Sequence, residues 1–170
     1  MKNLTLKSIQ IMALLIISNL CITAGAASNE LPDLAGYPGI EIAGTRAQWG
    51  GKVKINAEDA DYNQNGRCVF RYDLGLINQG NTPTGEFGYR INSGGLSKTQ
   101  THPGVQANEA ISTVGQIELK PGKQKLVIKL DNEEQITESD ETNNMPFALL
   151  VDVKGKCNSD NKAKSMIATK

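Results

Sequence analysis

The stretch ESDETNN, from Glu138 to Asn144, separates two apolar runs near the C-terminal end of the sequence, Leu126–Leu130 and Phe147–Val153. Each run places an apolar side chain at every second position, which is typical of a strand buried on one face. The stretch between them consists of acidic, amide and hydroxyl residues. These favour chain reversal because their side chains can hydrogen bond to nearby backbone groups. We therefore predict that ESDETNN is the turn between the last two strands of a β-structure.

The same alternation marks the rest of the chain. Its longest example runs from Cys68 to Leu76, where the apolar side chains share one parity, which predicts a central, half-buried strand. The Asn65-Gly66 pair just before it predicts a tight reversal, and the polar segment Leu96–Ala110 predicts one weak edge strand followed by a loop. Further short strands are predicted at Ile40–Ile42, Val53–Ile55, Phe87–Ile91 and Ile111–Leu119. Because no long segment after the N-terminal one has a helical period, the predicted fold class is all-β, with the strand spacing of a sandwich.

The N-terminal segment predicts export. Residues 1–26 contain two lysines, an apolar core from Ile9 to Ile22 and a small-residue site at the end, which is the composition of a secretory signal peptide. Since the apolar core is short for a membrane helix, we predict cleavage and no membrane span in the mature chain. We then expect a flexible leader at residues 27–38, one β-domain at residues 39–157 and a disordered tail at residues 158–170. The predicted location is periplasmic or extracellular.

The net charge and the cysteine content limit the classes of binding partner and the cellular compartment that we expect. Signal cleavage removes two of the 18 basic residues and leaves 16 against 18 acidic ones, a net charge of about −2. A chain with this net charge has no overall electrostatic field that attracts nucleic acid. We therefore exclude nucleic acid as the main partner. Cleavage also removes Cys21 and leaves Cys68 and Cys157. Two cysteines in an oxidising compartment are most often bridged, which predicts a single disulfide between them.

Two patches of the sequence resemble one known family. ITESDETNN, preceded by a strand that ends in aspartate (KLVIKLD), resembles the end of the CARDB domain, the cell-adhesion-related domain of bacteria. INQGN, from Ile77 to Asn81, is similar to that family's asparagine-glycine turn after its central strand. The resemblance covers Gly39 to Val153 and implies an immunoglobulin-like, seven-stranded antiparallel β-sandwich that serves as an extracellular module. The residues that carry it are Asn78, Gly80, Glu138, Asp140, Glu141, Asn143 and Asn144.

The immunoglobulin-like order also implies where these features lie in the sandwich. In that order the second strand begins, and the seventh ends, at one end of the domain, where Cys68 and Cys157 would meet. The ESDETNN and INQGN turns then lie together at the opposite end. If the domain has a binding edge, we predict it at the end that the two turns share.

A cluster of carboxylates occupies eleven residues without an intervening basic residue: Asp131, Glu133, Glu134, Glu138, Asp140 and Glu141. It predicts either a calcium site or a patch for a basic partner, because hard cations prefer several oxygen ligands in a flexible loop. The alternative, which we favour, is a solvated turn in which Asp140, Asn143 and Asn144 hydrogen bond to local backbone groups. On that interpretation the cluster marks the fold and not a ligand.

A second pattern matches the first half of a calcium-binding loop. Asp61, Asn63, Asn65 and Gly66 form D-x-N-x-N-G, but the twelfth position is Tyr72 where such a loop has a bidentate glutamate. An asparagine-rich turn is therefore the favoured interpretation. We keep calcium as a minor hypothesis and predict no cofactor. The weak candidate ligands are Asp61, Asn63, Asn65, Asp140 and Glu141.

Catalytic chemistry has little support in the sequence. His102 is the only histidine, and TQTHPG around it contains no nucleophile motif, so we predict an exposed loop residue and not a catalytic base. No glycine-rich phosphate loop follows a predicted strand. Trp49, Tyr62 and Tyr37 fall outside the strand parity, and such aromatics can stack on sugar rings when exposed, although we favour Trp49 as a cap on one end of the core. We predict that the protein is not an enzyme.

These observations predict a secreted, non-enzymatic binding or adhesion module. Its loops would contact a protein or a glycan at the cell surface or in the periplasm. Two alternatives stay open from the sequence: a calcium-stabilised structural spacer, and a small secreted accessory or inhibitor subunit of an enzyme.

Overall fold

The computed structural model describes residues 30–144 and 146–157. The predicted signal peptide, the first residues of the predicted leader and the predicted tail at residues 158–170 lie outside this range. Within the described range the chain forms ten β-strands and one short 3-10 turn, Ala57–Asp59. None of these residues forms a helix that is long and apolar enough to cross a membrane.

The strands follow one another with short connections. They are β1 (Leu34–Ile42), β2 (Thr45–Ala47), β3 (Lys52–Asn56), β4 (Tyr62–Gln64), β5 (Arg67–Asn78), β6 (Phe87–Ser93), β7 (Leu96–His102), β8 (Ala110–Leu119), β9 (Gly122–Lys129) and β10 (Phe147–Lys154). The polar segment Leu96–Ala110 forms β7 and then a loop, as predicted from the sequence.

Two sheets face each other. The first is built on β5, which pairs with β8 on one edge and with β1 and β4 on the other, and β2 extends β1. The second has the order β3-β10-β9-β6-β7. All pairs are antiparallel except β3 with β10, which is parallel. The predicted all-β, immunoglobulin-like sandwich is confirmed, but the described residues form ten strands with one parallel pair where seven antiparallel strands were expected. The parallel pair arises because the chain crosses from the first sheet to the second between β2 and β3.

The core lies between the sheets and follows the predicted parity. The side chains of β5 that point inward are fully buried: Cys68, Phe70, Tyr72, Leu74 and Leu76. Across from them, Tyr89 of β6 places its hydroxyl 3.0 Å from the hydroxyl of Tyr72 and donates to Gln100 Oε1 of β7 at 2.9 Å. Buried hydroxyl groups without partners are costly, so this chain of hydrogen bonds lets two tyrosines fill the core and joins the sheets.

The first strand begins earlier than its sequence suggests. We expected residues 27–38 to form a leader and the strand to begin at Ile40, whereas β1 begins at Leu34, which is fully buried and paired with Asn78. Gly36 and Pro38 resemble turn signals, but here they lie at a register shift within β1. An irregular strand with a free side tolerates proline, which cannot donate a hydrogen bond. Gly75 of β5 makes room, because a Cβ there would lie 1.5 Å from the carbonyl oxygen of Tyr37.

The predicted disulfide is present. Cys68, at the start of β5, is bonded to Cys157, three residues after β10, and their Cα atoms lie 5.1 Å apart. Asn78 ends the same strand β5. The disulfide and the turn that follows Asn78 therefore lie at opposite ends of the sandwich, as the immunoglobulin-like order implies.

Candidate functional site

The candidate site is the end of the sandwich opposite the disulfide, which we call the turn pole. It consists of three segments: Leu31–Leu34, Asn78–Thr84 and Asp131–Asn144. Hydrogen bonds link all three, since Gln79 N donates to Asp33 O at 2.7 Å and Ser139 N donates to Pro32 O at 2.9 Å. The two signature turns thus meet through a segment that neither of them contains.

Asn78 is the centre of the first signature turn. Its side chain is 0% exposed, and its Oδ1 accepts from Asp33 N and Gly80 N, each at 3.0 Å. Its Nδ2 donates to the carbonyl oxygens of Thr82, Val105 and Gln106 at 2.8 to 3.1 Å. A buried amide must find such partners because it has left water. One side chain therefore fixes the turn itself, the segment before β1 and the loop before β8.

Gly80 allows the close approach that Asn78 organises. A Cβ at this position would lie 2.3 Å from the carbonyl oxygen of Leu31 and 2.6 Å from Asp33 N. Real Cβ atoms do not come this close to backbone atoms, so only glycine fits without a shift of one segment. The glycine of INQGN is therefore required by packing between two backbone segments.

Glu138 is the centre of the second signature turn. Its carboxylate is buried, with the side chain 5% exposed, and accepts from Leu34 N through Oε2 and from Asn144 Nδ2 at 2.6 Å through Oε1. Burial raises the pKa of Glu138, and the hydrogen bonds from Asn144 and Leu34 offset only part of that rise. This carboxylate joins the start of β1 to the connection between β9 and β10.

The other acids of the turn also accept from backbone amides. Asp131, which is buried, accepts from Gln135 N at 2.9 Å and Ile136 N at 3.0 Å. Exposed Asp140 accepts from Thr142 N at 2.8 Å and from its hydroxyl, and these bonds lower the pKa of Asp140. Glu141 Oε1 accepts from Glu138 N at 2.9 Å. The carboxylates thus hold the turn in shape.

This geometry corrects the predicted interpretation of ESDETNN in two respects. The turn is not fully solvated, because Asp131, Glu138 and Asn144 are buried. Asn143 and Asn144 donate to the side chains of Asp33 and Glu138 rather than to local backbone groups. Only Asp140 behaves as predicted. The physical reason is that the segment before β1 covers the turn, and sequence neighbours do not reveal that contact.

The second set of calcium candidates lies elsewhere. Asp61, Asn63 and Asn65 belong to the hairpin of β4 and β5, whose tip has positive φ at Asn65 (51°) and Gly66 (72°), as the predicted tight reversal requires. Asp61 Oδ2 accepts from Gln116 Nε2 at 3.3 Å. This hairpin tip precedes β5, whereas Asp140 and Glu141 lie beyond its far end, so the structure does not bring the candidate ligands together. Among residues 30–144 and 146–157, no group of three or more His, Cys, Asp or Glu side chains is arranged to hold a metal ion.

His102 is not an exposed loop residue, contrary to prediction. It ends β7 and is half-buried, its ring packs on Phe87 with centroids 5.3 Å apart, and its Nδ1 accepts from Gly104 N at 3.1 Å. Burial lowers the pKa of His102. The proline and glycine after it suggested a loop, but the pairing of β6 with β7 extends to this position.

The aromatic residues outside the strand parity take different roles. Trp49 packs against the core and lies 5.1 Å from Phe147 between ring centroids, in agreement with the favoured role as a cap. Tyr62 places its hydroxyl 3.4 Å from Gln116 Oε1, and Tyr37 is exposed on β1. The three aromatics do not form one sugar-stacking surface, because Trp49 is committed to the core.

Sequence reasoning missed Asp33. This residue accepts from Gln79 through its carbonyl oxygen, donates through its amide to Asn78 and accepts from Asn143 through its carboxylate. Nothing in its sequence surroundings marks it, since it lies in a polar segment with a proline before it. Its role follows only from the three-dimensional meeting of the two signature turns.

Comparison with known proteins supports the fold. No protein-family model matches the chain, and no curated protein matches it. Among solved structures, the CARDB domain of a Pyrococcus furiosus protein, in complex with di-metal ions, is 17% identical to this chain, covers 73% of it and 90% of that domain, and has a TM-score of 0.50. A solution NMR structure of the CARDB domain of the same Pyrococcus furiosus protein is 19% identical, covers 72% of this chain and 97% of that one, and has a TM-score of 0.45. The chain has the fold of a CARDB domain, as the two sequence patches predicted.

Proposed function

We propose that this protein is an exported, non-enzymatic binding or adhesion module whose turn pole contacts a protein or a glycan of the cell envelope. The observation that carries the proposal is the hydrogen-bond network around Asn78 and Glu138, which fixes three separate segments into one surface. Loops that are already ordered lose less conformational entropy on binding, so a fixed loop surface favours recognition.

The chemistry of the turn pole favours a basic or hydroxyl-rich partner. The buried acids are engaged with the fold, whereas the exposed positions present amide, hydroxyl and carboxylate groups: Gln79, Asn81, Thr137, Ser139, Asp140, Glu141 and Thr142. Asp140 stays ionised well into the acid range, because its hydrogen bonds from Thr142 lower its pKa. Carboxylates and amides hydrogen bond to lysine and arginine side chains and to sugar hydroxyl groups.

The absence of catalysis is part of the proposal. A hydrolase of the serine-histidine type needs an imidazole that pairs with a nucleophile on one nitrogen and with an orienting carboxylate on the other. The Nδ1 of His102 instead accepts from a backbone amide, and the ring packs on Phe87. The histidine is therefore used to close the end of β7, which supports a non-enzymatic role.

Binding to isolated envelopes tests the proposal. The mature, oxidised chain would be labelled and titrated onto the cell envelope of its source organism. Replacing two exposed residues of the turn pole, Gln79→Arg with Thr137→Arg, should weaken saturable binding at least about tenfold, because it adds two positive charges to an acidic surface without changing a side chain of the network. The matched control, Glu58→Gln with Gln64→Arg, makes the same change of two charge units at exposed residues near the disulfide end and should leave binding unchanged. Absence of saturable binding, or equal loss in the control, would contradict the proposal.

The calcium-stabilised spacer is the second candidate. The Pyrococcus furiosus CARDB domain with a TM-score of 0.50 is described in complex with di-metal ions. In this chain the weak candidate ligands Asp61, Asn63 and Asn65 lie at the opposite end of β5 from Asp140 and Glu141. A ligand that binds the folded state alone raises the midpoint of thermal unfolding. A melt that shifts upward with millimolar calcium and returns with chelator would favour the spacer, and an unchanged melt would remove it.

A further inference from the structure

The edge of the first sheet formed by β8 has no partner among the described residues. β8 pairs with β5 over ten residues, from Ala110 with Ile77 to Leu119 with Cys68. No described strand lies on its other side. A strand edge of this length presents a row of unpaired backbone N–H and C=O groups, which is a template for another strand.

The other edge strands of the described sandwich are protected, and β8 is not. β2 and β4 have three residues each, β3 carries the exposed Lys52 and Lys54, and β7 carries the exposed Lys98. Short edges and lysines are the usual means by which proteins prevent strand addition. In β8 the first charged residue is Glu118, so the segment from Ala110 to Ile117 is uncharged. Val114, at its centre, is 53% exposed.

The backbone groups that face outward can be assigned. Ser93 of the other sheet donates through Oγ to the carbonyl oxygen of Glu118 at 3.0 Å, so the even-numbered residues of β8 direct their backbone groups away from β5. Ser112, Val114 and Gln116 therefore carry the free groups. The side chain of Gln116 does not cover them, because it donates to Asp61 at 3.3 Å and lies near the hydroxyl of Tyr62, across its own sheet.

We propose that β8 pairs with β8 of a second copy of this chain, antiparallel and around a two-fold axis at Val114. In this register Val114 faces Val114 of the second copy, and Ser112 faces Gln116. In both pairs the backbone N–H and C=O groups of the two residues face outward. The two residues of each pair therefore exchange two hydrogen bonds, as in an antiparallel ladder. No charge faces a charge between Ile111 and Ile117, which makes the segment complementary to itself.

A cleft beside β8 supports this register. It has a volume of about 200 Å³ and lies between β7 and the C-terminal half of β8, with the apolar side chains of Ile91, Leu96 and Ile117 in its lining. On the proposed axis, Ile111 of the second copy faces Ile117, on the side of the sheet that points toward this cleft. Side chains of such non-hydrogen-bonded pairs lie close together. The second copy thus supplies an aliphatic group where the sandwich has an apolar opening.

Sedimentation velocity with charged variants tests the proposal. The mature, oxidised chain should show a concentration-dependent dimer between about 1 µM and 1 mM, since a single strand pair gives a small interface and weak association. Val114→Lys and Val114→Glu should each raise the dissociation constant at least about tenfold, because like charges then face each other across the axis. An equimolar mixture of the two variants should restore the dimer. Restoration by a mixture cannot result from misfolding of either variant.

Leu150→Lys provides the matched control. Leu150 is 47% exposed on β10, a strand with partners on both sides, so its replacement should leave the dimer unchanged. A wild-type chain that is monomeric at the highest concentration overturns the proposal. This holds even if the β8 edge pairs with a different protein. A dimer that is lost with Leu150→Lys and kept with Val114→Lys also overturns the proposal. Failure of the mixture to restore the dimer overturns the axis at Val114.

Discussion

At the scale of single residues, Glu138 couples the stability of the fold to pH. Its carboxyl group is buried and connects Leu34 to Asn144. Burial raises its pKa in the folded state above the ordinary value of 4.5, so the folded state holds this proton more tightly than the unfolded state does. By linkage, the stability contributed by the protonated group is present below pH 4.5 and is lost as pH rises through the folded pKa.

The first prediction compares wild type with Glu138→Gln, which is neutral at every pH. The free energy of unfolding of the wild type, minus that of the variant, should fall as pH rises from about 4.5 and then level off above the raised pKa. Urea unfolding at a series of pH values between about 4 and 8 measures this difference. A difference that increases with pH would show that the folded pKa is lowered.

Asn78 gives the second prediction. Asn78→Ala removes a side chain with five hydrogen bonds and leaves the backbone amides of Asp33 and Gly80 without that partner. Each unsatisfied buried group costs roughly 1 to 3 kcal/mol, and water entering the space offsets part of this, so we expect a loss of about 3 kcal/mol. Asn81→Ala, in the same turn but exposed, should change the free energy of unfolding by less than about 0.5 kcal/mol. Equal effects of the two substitutions would contradict the role of Asn78.

At the scale of elements, the turn after β5 requires glycine at position 80. Gly80→Ala would place a Cβ 2.3 Å from the carbonyl oxygen of Leu31. The segment before β1 must then move, which weakens the hydrogen bonds from Asn81 N to Leu31 O and from Gln79 N to Asp33 O. We predict a loss of about 2 kcal/mol in the free energy of unfolding, measured with urea. Gln79→Ala, an exposed neighbour, serves as the control and should be nearly neutral.

Most of the strands were predictable because they carry their own alternating apolar signal, whereas the three-residue strands β2 and β4 carry none and were not predicted. Alternation of apolar side chains located the central strand, and the buried faces of β5 and β9 follow the predicted parity. The start of β1 was not predictable in the same way, since Leu34 is buried by contacts with distant residues and Pro38 lies in a free-sided, irregular part of the strand. The parallel pairing of β3 with β10 was not predictable either, because it joins distant parts of the chain.

The candidate site was predictable only in outline. The composition of ESDETNN and INQGN indicated two turns, and the implied strand order placed them at one end of the sandwich. Which acids are buried could not be read from that composition, because burial depends on the segment around Asp33 that covers the turn. Local sequence therefore identified the turns, whereas long-range contact decided that Glu138 is buried and Asp140 is exposed.

At the scale of the whole molecule, the disulfide closes most of the domain into one loop. Cys68 and Cys157 are 89 residues apart in sequence. On the chain-entropy model, a loop of this length stabilises the folded state by about 4.6 kcal/mol, because it restricts the unfolded chain. We predict that Cys68→Ala with Cys157→Ala lowers the free energy of unfolding by about this amount. Wild type unfolded in the presence of reductant should match the double variant, and a loss below about 1 kcal/mol would contradict the prediction.

The last prediction concerns how the two ends of the sandwich act together. Cys68 and Asn78 lie ten residues apart on the same strand β5, a separation of about 33 Å at the usual rise per residue, and the Asn78 network contains neither cysteine. Effects of substitutions at such distances add when the domain unfolds as one unit. The triple variant that combines Asn78→Ala with the two cysteine substitutions should therefore lose the sum of the separate effects to within about 0.5 kcal/mol. A clearly smaller loss in urea unfolding would mean that the turn pole unfolds separately from the disulfide end. In that case Asn78 would fix the surface locally, without supporting the sandwich as a whole.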